Sequence, residues 1–272
     1  MESNNIGETI LPADNTENSI TLSAVVIAFN EEDDIARCLE SLLFAGEIVV
    51  VDSHSTDRTE EIARRFTDRV YQRDFTGFSD QKNAAVSYAR GEWVLIVDAD
   101  EVVTEDLADQ IRHAVAEGKH DAYWMPRRSF FLGKWIRHCG WYPDRQLRLA
   151  RRHLAVFEHR LVHETLSIAD AGVLSADLEH HTYRDLSEYA AKMVRYAKAA
   201  AEQKFADGTR FALGDLLFKP TLAFLKMYVV KRGFMDGIRG LMLSVLTACS
   251  TAIRYAFLWE IGMRDDGKEE SI

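Results

Sequence analysis

A chain of 272 residues, 47% hydrophobic and 28% charged, is long enough to bury a full core as one large domain, or as one domain with an appendage. Its formal net charge of -10 at pH 7 argues against a general nucleic-acid binder, which would carry a basic surplus. The three cysteines are widely spaced and form no CxxC pattern, so they indicate a reducing compartment and no disulfide framework.

The two ends of the chain bear on its location. Residues 1–20 are polar and acidic, without a basic stretch followed by an apolar one, and are predicted to be a disordered tail rather than a secretory signal. The longest uncharged stretch of the second half, residues 240–253, is shorter than the roughly 18 residues that a spanning helix needs. These features predict a cytoplasmic protein; peripheral contact with the inner face of the cytoplasmic membrane and a homo-oligomeric state are left open.

Residues 21–118 alternate between apolar runs of strand length and helical stretches. Strands are predicted at residues 22–29, 47–51, 69–71 and 93–97, and helices at residues 33–43, 56–66, 79–89 and 104–117. Thr104, and either Ser55 or Thr56, are predicted N-caps. The alternation predicts an α/β fold with a mainly parallel sheet flanked by helices, in which ligands bind at the carboxyl ends of the strands.

The sequence pattern changes after residue 119. Shorter strands are predicted at residues 122–125, 129–132, 146–149 and 173–178, and a long helix at residues 186–205. Apolar helices broken near Pro220 and Gly233 follow. The chain is thus divided into a tail (1–20), a first half (21–118) and a second half (119–185) of one domain, and a helical C-terminal extension (186–272).

Two acidic residues follow the strand at residues 93–97. Asp98 and Asp100 are two positions apart on an extended segment, so both carboxylates can share one hard cation while Ala99 turns away. An isolated DxD is usually a solvated turn, and Asp52 at the end of an earlier strand could simply cap the next helix. A DxD that directly follows a buried strand in an alternating series is far more specific for a bound metal and diphosphate.

The segments AFNEE, VVDSHSTDRT, QKNAA and WVLIVDADE resemble glycosyltransferase family 2, whose members have the GT-A nucleotide-sugar-binding fold. The later segments GFSDQKN, WYPDRQLRL, VHETL and RGFMDG are similar to lipopolysaccharide core glycosyltransferases of the WaaE/KdtX type. The resemblance covers about residues 21–255. It implies an inverting, metal-dependent hexosyltransferase that moves a hexose, foremost glucose, from a UDP-sugar to a lipopolysaccharide inner core or similar anionic glycolipid. Residues 21–118 would bind the nucleotide sugar, and residues 119–185 the acceptor.

The resemblance also implies roles for single residues. Phe29, Asn30 and Glu31 would border the nucleotide, Asp52 would bind its base, and Lys82 and Asn83 would make further donor contacts. Asp98 would lie near the ribose and the metal, with Asp100 as the main ligand of a Mg²⁺ or Mn²⁺ ion. His181 is the candidate third ligand and His180 the alternate, although a loop histidine bonded to backbone is an equal reading. No role is assigned to His54.

An inverting transfer needs a carboxylate to take the proton of the acceptor hydroxyl. The candidates are Glu164 in LVHETL and Asp144 in WYPDRQ, and Glu164 is favoured. Glu164 could instead form a salt bridge on an edge strand, and Asp144 could orient Arg145 or Arg148.

Residues 126–152 are strongly basic in an otherwise acidic chain. They hold Arg127, Arg128, Lys134, Arg137, Arg145, Arg148, Arg151 and Arg152 against Asp144 alone, interspersed with five aromatic residues. Forked arginine donors suit phosphate and carboxylate oxygens, so an anionic acceptor cleft is predicted; neutralisation of the donor diphosphate and a solvated face are the alternatives. Residues 210–254 are basic and apolar, which is typical of a helix on an anionic membrane surface, or of helices packed on the core or on a second subunit.

Three other functions share part of this pattern. A polyprenyl-phosphate glycosyltransferase would have the same first half, and a non-catalytic nucleotide-sugar-binding protein would keep the fold without turnover. A nucleotidyltransferase would normally have a glycine-rich basic loop after the first strand, where this chain has FNEEDD.

Overall fold

The computed structural model describes residues 21–158, 166–183 and 185–269, with side chains up to residue 265. The first half contains the strands β1 (Leu22–Ala28), β2 (Glu47–Asp52), β3 (Val70–Gln72), β4 (Trp93–Asp98) and β5 (Glu101–Val103). Its helices are α1 (Ile35–Glu40), α2 (Thr59–Ala63), α3 (Phe78–Tyr88) and α4 (Glu105–Glu117). The Thr104 hydroxyl caps α4 as predicted, but neither Ser55 nor Thr56 caps α2, where Asp57 accepts a hydrogen bond from the Thr59 amide instead.

The second half adds the strands β6 (Ala122–Phe131), β7 (Lys134–Trp135), β8 (Asp144–Arg151), β9 (Ala171–Val173) and β10 (Leu178–Tyr183). The two strands predicted at residues 122–125 and 129–132 are therefore one continuous strand. The strand predicted at residues 173–178 is wrong, because those residues mainly connect β9 to β10.

The ten strands of the described residues belong to one sheet in the order β3-β2-β1-β4-β8-β6-β10-β5, with β7 and β9 paired to β6. The strands β3, β2, β1 and β4 are parallel, as the alternating pattern predicts, whereas β8 runs antiparallel to both β4 and β6. Apolar side chains on the two faces of the central strands form two core clusters, and Trp93, Leu95 and Ile96 are among the fully buried residues. The mixed half of the sheet thereby continues directly from the parallel half.

The C-terminal extension consists of α5 (Leu186–Ala206), α6 (Leu213–Leu225), a π-helical turn (Lys226–Val230), a 3-10 turn (Gly233–Asp236) and α7 (Ile238–Glu269). Pro220 lies inside α6 and does not end it, since one lost hydrogen bond is offset by the packing of α6 on α7. The predicted break near Gly233 is present. There α7 approaches so closely that a Cβ on Gly240 would lie 1.8 Å from the carbonyl oxygen of Gly233.

The prediction that no helix is long enough to span a membrane needs correction. The segment Ile238–Asp265 has sufficient length, and its most apolar 18-residue window has a mean hydropathy of 1.5 and is 22% buried. The uncharged run stops at Arg254, but the helix continues past it. Length and composition alone do not distinguish such a helix from a core helix of a soluble protein.

Candidate active site

The carboxyl ends of β1, β2 and β4 meet at one edge of the sheet. Ala28 is in register with Asp52 of β2, and Ile27 is in register with Asp98 of β4. The backbone continues from β1 into Phe29, whose side chain is 56% exposed. The predicted nucleotide-binding residues of these three strands therefore lie side by side, at the edge where parallel sheets bind ligands.

The turns after β1 and β2 are tied to each other. Asn30, with a left-handed φ of 56°, accepts a hydrogen bond from the Thr56 amide through its side chain (2.8 Å), and its own amide donates to the Ser55 hydroxyl. The Glu31 amide donates to the Thr59 hydroxyl at 2.7 Å. The Asp52 carboxylate is buried and accepts hydrogen bonds from the Ser55 amide (2.8 Å) and hydroxyl. Asp52 thus shapes the turn, and its contact with a base stays a prediction.

Asp98 is held between two cations. Its Oδ1 lies 3.2 Å from Lys82 Nζ, and its Oδ2 lies 2.5 Å from Arg148 Nη2. Burial alone would raise the pKa of the Asp98 carboxyl, but the positive charges of Arg148 and Lys82 outweigh it and hold that pKa below its ordinary value. Asp98 is therefore ionised, and both of its oxygens already have cationic partners.

The ion pairs continue away from Asp98 as a chain of alternating charge. Arg148 also lies 2.7 Å from Oε1 of Glu101, whose side chain is fully buried, and Arg127 Nη1 lies 3.0 Å from the same oxygen. Arg127 further makes two hydrogen bonds to Oδ2 of Asp144, at 2.9 and 2.6 Å. Asp144, the second candidate base, thus orients Arg127 and neither of the two arginines expected from the sequence.

The sequence pattern indicated no role for Glu101, and it placed Arg127 only in the basic segment predicted to bind an anionic acceptor. The signal that could have found this network is the strand β8, where the polar residues Asp144, Gln146 and Arg148 occur at every second position, although the pairing of β8 with β6 shifts register at Arg148. Polar side chains on a central strand require partners. Those partners come from β4, β5 and β6.

Asp100 lies beside His180 and not beside the favoured His181. The strand β5 pairs antiparallel with β10 and brings His180 Nε2 to 3.2 Å from Asp100 Oδ2. The His181 amide donates to the Asp100 carbonyl oxygen, while its ring stacks on Phe130 and lies 3.2 Å from Glu179. Successive side chains of a strand point to opposite faces, so only one of the two histidines can face Asp100.

The residues at Asp100 fit a divalent cation that takes its other ligands from a diphosphate. Within the described residues there is no group of three or more His, Cys, Asp or Glu side chains arranged to hold a metal. Mg²⁺ sites commonly use one or two protein carboxylates together with substrate phosphates, and Mn²⁺ accepts imidazole nitrogen as well. Burial opposes ionisation of Asp100, but the hydrogen bond and charge of His180 lower its pKa. An imidazole ligates a metal only in its neutral form, so a cation held by this pair would replace the proton on His180.

Lys82 and Asn83 are adjacent in α3 but have different tasks. Lys82 is buried, pairs with Asp98 and lies 5.7 Å from the ring centroid of Phe157. The Asn83 side chain donates to the Phe157 carbonyl oxygen (3.0 Å) and accepts from its amide (2.8 Å). The nitrogen and the oxygen of the Asn83 side chain therefore both bind the backbone of Phe157. This geometry does not support the predicted contact of Asn83 with the sugar donor.

Glu164, the favoured base, lies outside the described residues. Glu158 and Leu166 are the described residues on either side of that segment, and Phe157 forms an isolated antiparallel bridge with Leu166. Phe157 is clamped by Asn83, and the Ser79 hydroxyl of α3 donates to the Glu158 carbonyl oxygen at 2.9 Å. Phe157 and Glu158 thus both contact α3, which also carries Lys82.

Most arginines of the basic segment have internal partners. Arg127 and Arg148 belong to the buried network, Arg128 pairs with Glu179, and Arg151 pairs with Glu92. Arg152 donates to the Gly91 carbonyl oxygen. The exposed cations of this segment are Lys134, Arg137, Arg145 and Arg152, and Arg137 stacks on Trp135 at 4.4 Å. The open basic surface is therefore smaller than the composition indicates.

Comparison with known proteins identifies the family. The sequence model described as "Glycosyl transferase family 2" matches residues 23–161, which contain all of the strand-end residues described above. The chain belongs to glycosyltransferase family 2. The resemblance inferred from AFNEE, VVDSHSTDRT and WVLIVDADE is thereby confirmed, as is the predicted α/β fold with a helical C-terminal extension.

Relatives match nearly the whole length of this family 2 glycosyltransferase. The lipopolysaccharide core biosynthesis glycosyltransferase LpsC of Rhizobium meliloti is 29% identical over 259 residues, covering 87% of this chain and 94% of LpsC. An uncharacterized glycosyltransferase of Rickettsia typhi is 26% identical over 260 residues, covering 89% and 88% of the two chains. Among solved structures, S. aureus TarS 1-349 in complex with UDP-GlcNAc covers 91% of this chain and 92% of its own, with 16% identity and a TM-score of 0.49.

Proposed function

We propose that this glycosyltransferase moves a hexose, foremost glucose, from a UDP-sugar to a lipopolysaccharide inner core or similar anionic glycolipid, with inversion at the anomeric carbon. The observation that carries the proposal is the juxtaposition of Asp98, Asp100 and His180 at the carboxyl edge of the parallel strands. The 29% identity to a lipopolysaccharide core glycosyltransferase over most of both chains supports the acceptor class. The enzyme would work in the cytoplasm at the inner face of the cytoplasmic membrane.

In this proposal the residues of the site have separate roles. Asp100 and His180 would hold a divalent cation, which when bound neutralises charge on the diphosphate leaving group. Asp98, fixed by Arg148 and Lys82, would face the ribose, and the turn of Asn30 would border the nucleotide. This assigns the two aspartates different roles, because Lys82 and Arg148 both form ion pairs with Asp98, whereas among the described residues Asp100 forms its ion pair with His180.

Glu164 is proposed as the base that accepts the proton of the attacking hydroxyl. The position of Phe157 and Glu158 supports this choice, because both contact α3, the helix that also carries Lys82. Asp144 is the weaker candidate, since Arg127 and Gln146 already occupy its carboxylate.

The test is transfer across a panel of nucleotide sugars, each assayed with Mn²⁺, with Mg²⁺ and with chelator, on deacylated lipopolysaccharide core and on a polyprenyl phosphate. We expect cation-dependent transfer from one UDP-sugar to the core saccharide. Glu164→Gln should lose transfer by at least about a hundredfold while UDP binding is unchanged, and Glu158→Gln is the matched control. Transfer to the polyprenyl phosphate alone, or no turnover of any donor, would refute the proposed acceptor or the enzyme itself.

A further inference from the structure

A large group of apolar side chains on the helical extension is exposed. It comprises Leu217, Phe218, Leu222 and Leu225 of α6, Val229 and Val230 of the π-helical turn, and Phe234, Met235 and Ile238 at the turn into α7, and is called here the apolar face. The α6 residues fall on one side of a helix with 3.6 residues per turn. Val230 is 74% exposed and Phe218 68%, so these side chains project beyond their neighbours. A contiguous exposed group of this kind marks an interaction surface.

The charged residues near the apolar face are basic. Lys134, Arg137, Lys226, Lys231 and Arg232 are exposed and are called here the basic collar. The two acids of residues 210–254 are both engaged internally. Asp215 lies 2.8 Å from Lys219, and Asp236 is buried and accepts from the backbone amides of Arg137 and His138. The exposed charge beside the apolar face is therefore positive.

The apolar face is rigidly connected to the acceptor half of the catalytic domain. The Cys139 amide donates to the Lys231 carbonyl oxygen at 3.0 Å, and Arg239 donates to the Leu132 carbonyl oxygen. Phe131, Ile136, Cys139 and Leu243 form one buried cluster between the sheet and α7. The apolar face therefore has a fixed orientation relative to Trp135 and Arg137 of the basic segment. Any surface that binds the apolar face would meet these residues in the same orientation.

We propose that the apolar face lies in the interface of an anionic lipid bilayer, with the basic collar against the lipid headgroups. Exposed aliphatic side chains flanked by lysine and arginine are the pattern by which helices lie in a membrane interface, and each cation near an anionic surface adds to binding. The side chains at the turn between α6 and α7 project strongly from the surface. This shape suits insertion into lipid better than it suits a flat interface with a second copy of the chain. Only the relevance to a lipid-linked acceptor rests on the proposed function.

The binding is peripheral, and α7 does not cross the bilayer. Its side chains Leu243, Tyr255 and Leu258 are buried against the rest of the chain, and Ala201 of α5 shares the cluster with Tyr255 and Leu258. A spanning orientation would expose these contacts to lipid and separate α7 from the sheet. The helix instead holds α6 and the apolar face on the catalytic domain.

The experiment is flotation of the purified full chain with vesicles of phosphatidylcholine, alone or mixed with phosphatidylglycerol. The wild type should float with the mixed vesicles, float much less with phosphatidylcholine alone, and be released by high salt. The variant Phe218→Ser/Leu222→Ser should partition at least about tenfold more weakly. Leu43→Ser/Val173→Ser removes two equally exposed apolar residues elsewhere and should float as the wild type does.

A second variant, Lys226→Gln/Lys231→Gln, keeps the apolar face and should lose about tenfold of its binding to the mixed vesicles. Wild type that stays with the lipid-free fraction, or a Phe218→Ser/Leu222→Ser variant that floats normally, would overturn the proposal. So would a wild-type dimer that this variant converts to a monomer, because the apolar face would then be a subunit interface. Donor hydrolysis measured without lipid should be unchanged in all four proteins, which separates this test from that of the proposed function.

Discussion

Arg148→Met is expected to lower the free energy of unfolding by about 3–5 kcal/mol, because it removes the cation that Asp98 and the buried Glu101 share and leaves each carboxylate with a single cationic partner. Arg148 joins Asp98 to the fully buried Glu101, and these two carboxylates raise the pKa of the guanidinium against the opposing effect of burial. Methionine fills much of the same volume but cannot pair with either carboxylate. The measurement is urea unfolding of the variant and the wild type at neutral pH.

Arg145→Met is the matched control for this prediction. Arg145 lies on the same strand β8, three residues earlier, but its side chain is exposed. Replacing it should change the free energy of unfolding by no more than about 0.5 kcal/mol. Equal stability of the two variants would show that the alternating network from Lys82 to Asp144 contributes nothing to the fold.

Asp100→Asn is expected to reduce transfer by at least about a hundredfold while the fold is retained. Asparagine keeps the size of the side chain but removes the charge that would hold a cation against the diphosphate, and such a cation supplies several kcal/mol of transition-state stabilisation. Asp100 is not part of the Arg148 network, so the free energy of unfolding should change little. The measurements are the rate of sugar transfer at saturating donor and the thermal midpoint of unfolding.

The control for Asp100→Asn is Asp109→Asn, which removes an exposed carboxylate of α4 that pairs with Arg112. Its transfer rate should equal that of the wild type. If Asp100→Asn also retained its full rate at every concentration of cation, the carboxylate would not take part in catalysis.

The parts of the site that follow from local pattern were predictable from sequence. The strand that ends at Asp98 and the helix that begins after Thr104 are fixed by short apolar runs and one cap. The parallel register that brings Asp52 level with Ala28 follows from the alternation of strands and helices. These features depend on contacts within about one strand or helix.

The other features depend on which distant segments pair. Arg148 and Asp98 are 50 residues apart, and only the antiparallel pairing of β8 with β4 brings them together. The choice between His180 and His181 depends on a one-residue register of β10 against β5, which composition does not determine. The two hydrogen bonds between Asn83 and Phe157 could not be predicted either, because they join α3 to a residue 74 positions later in the chain.

The measurement that tests the central claim most directly is equilibrium binding of UDP with and without Mn²⁺, by calorimetry, to wild type, Asp100→Asn, His180→Ala and His181→Ala. The account predicts that Mn²⁺ strengthens UDP binding to the wild type by at least about tenfold, and that Asp100→Asn and His180→Ala lose this gain. His181→Ala should keep it, because its ring stacks on Phe130 away from Asp100. UDP binding that is equally strong with and without Mn²⁺ in all four proteins would contradict a cation site at Asp100 and His180.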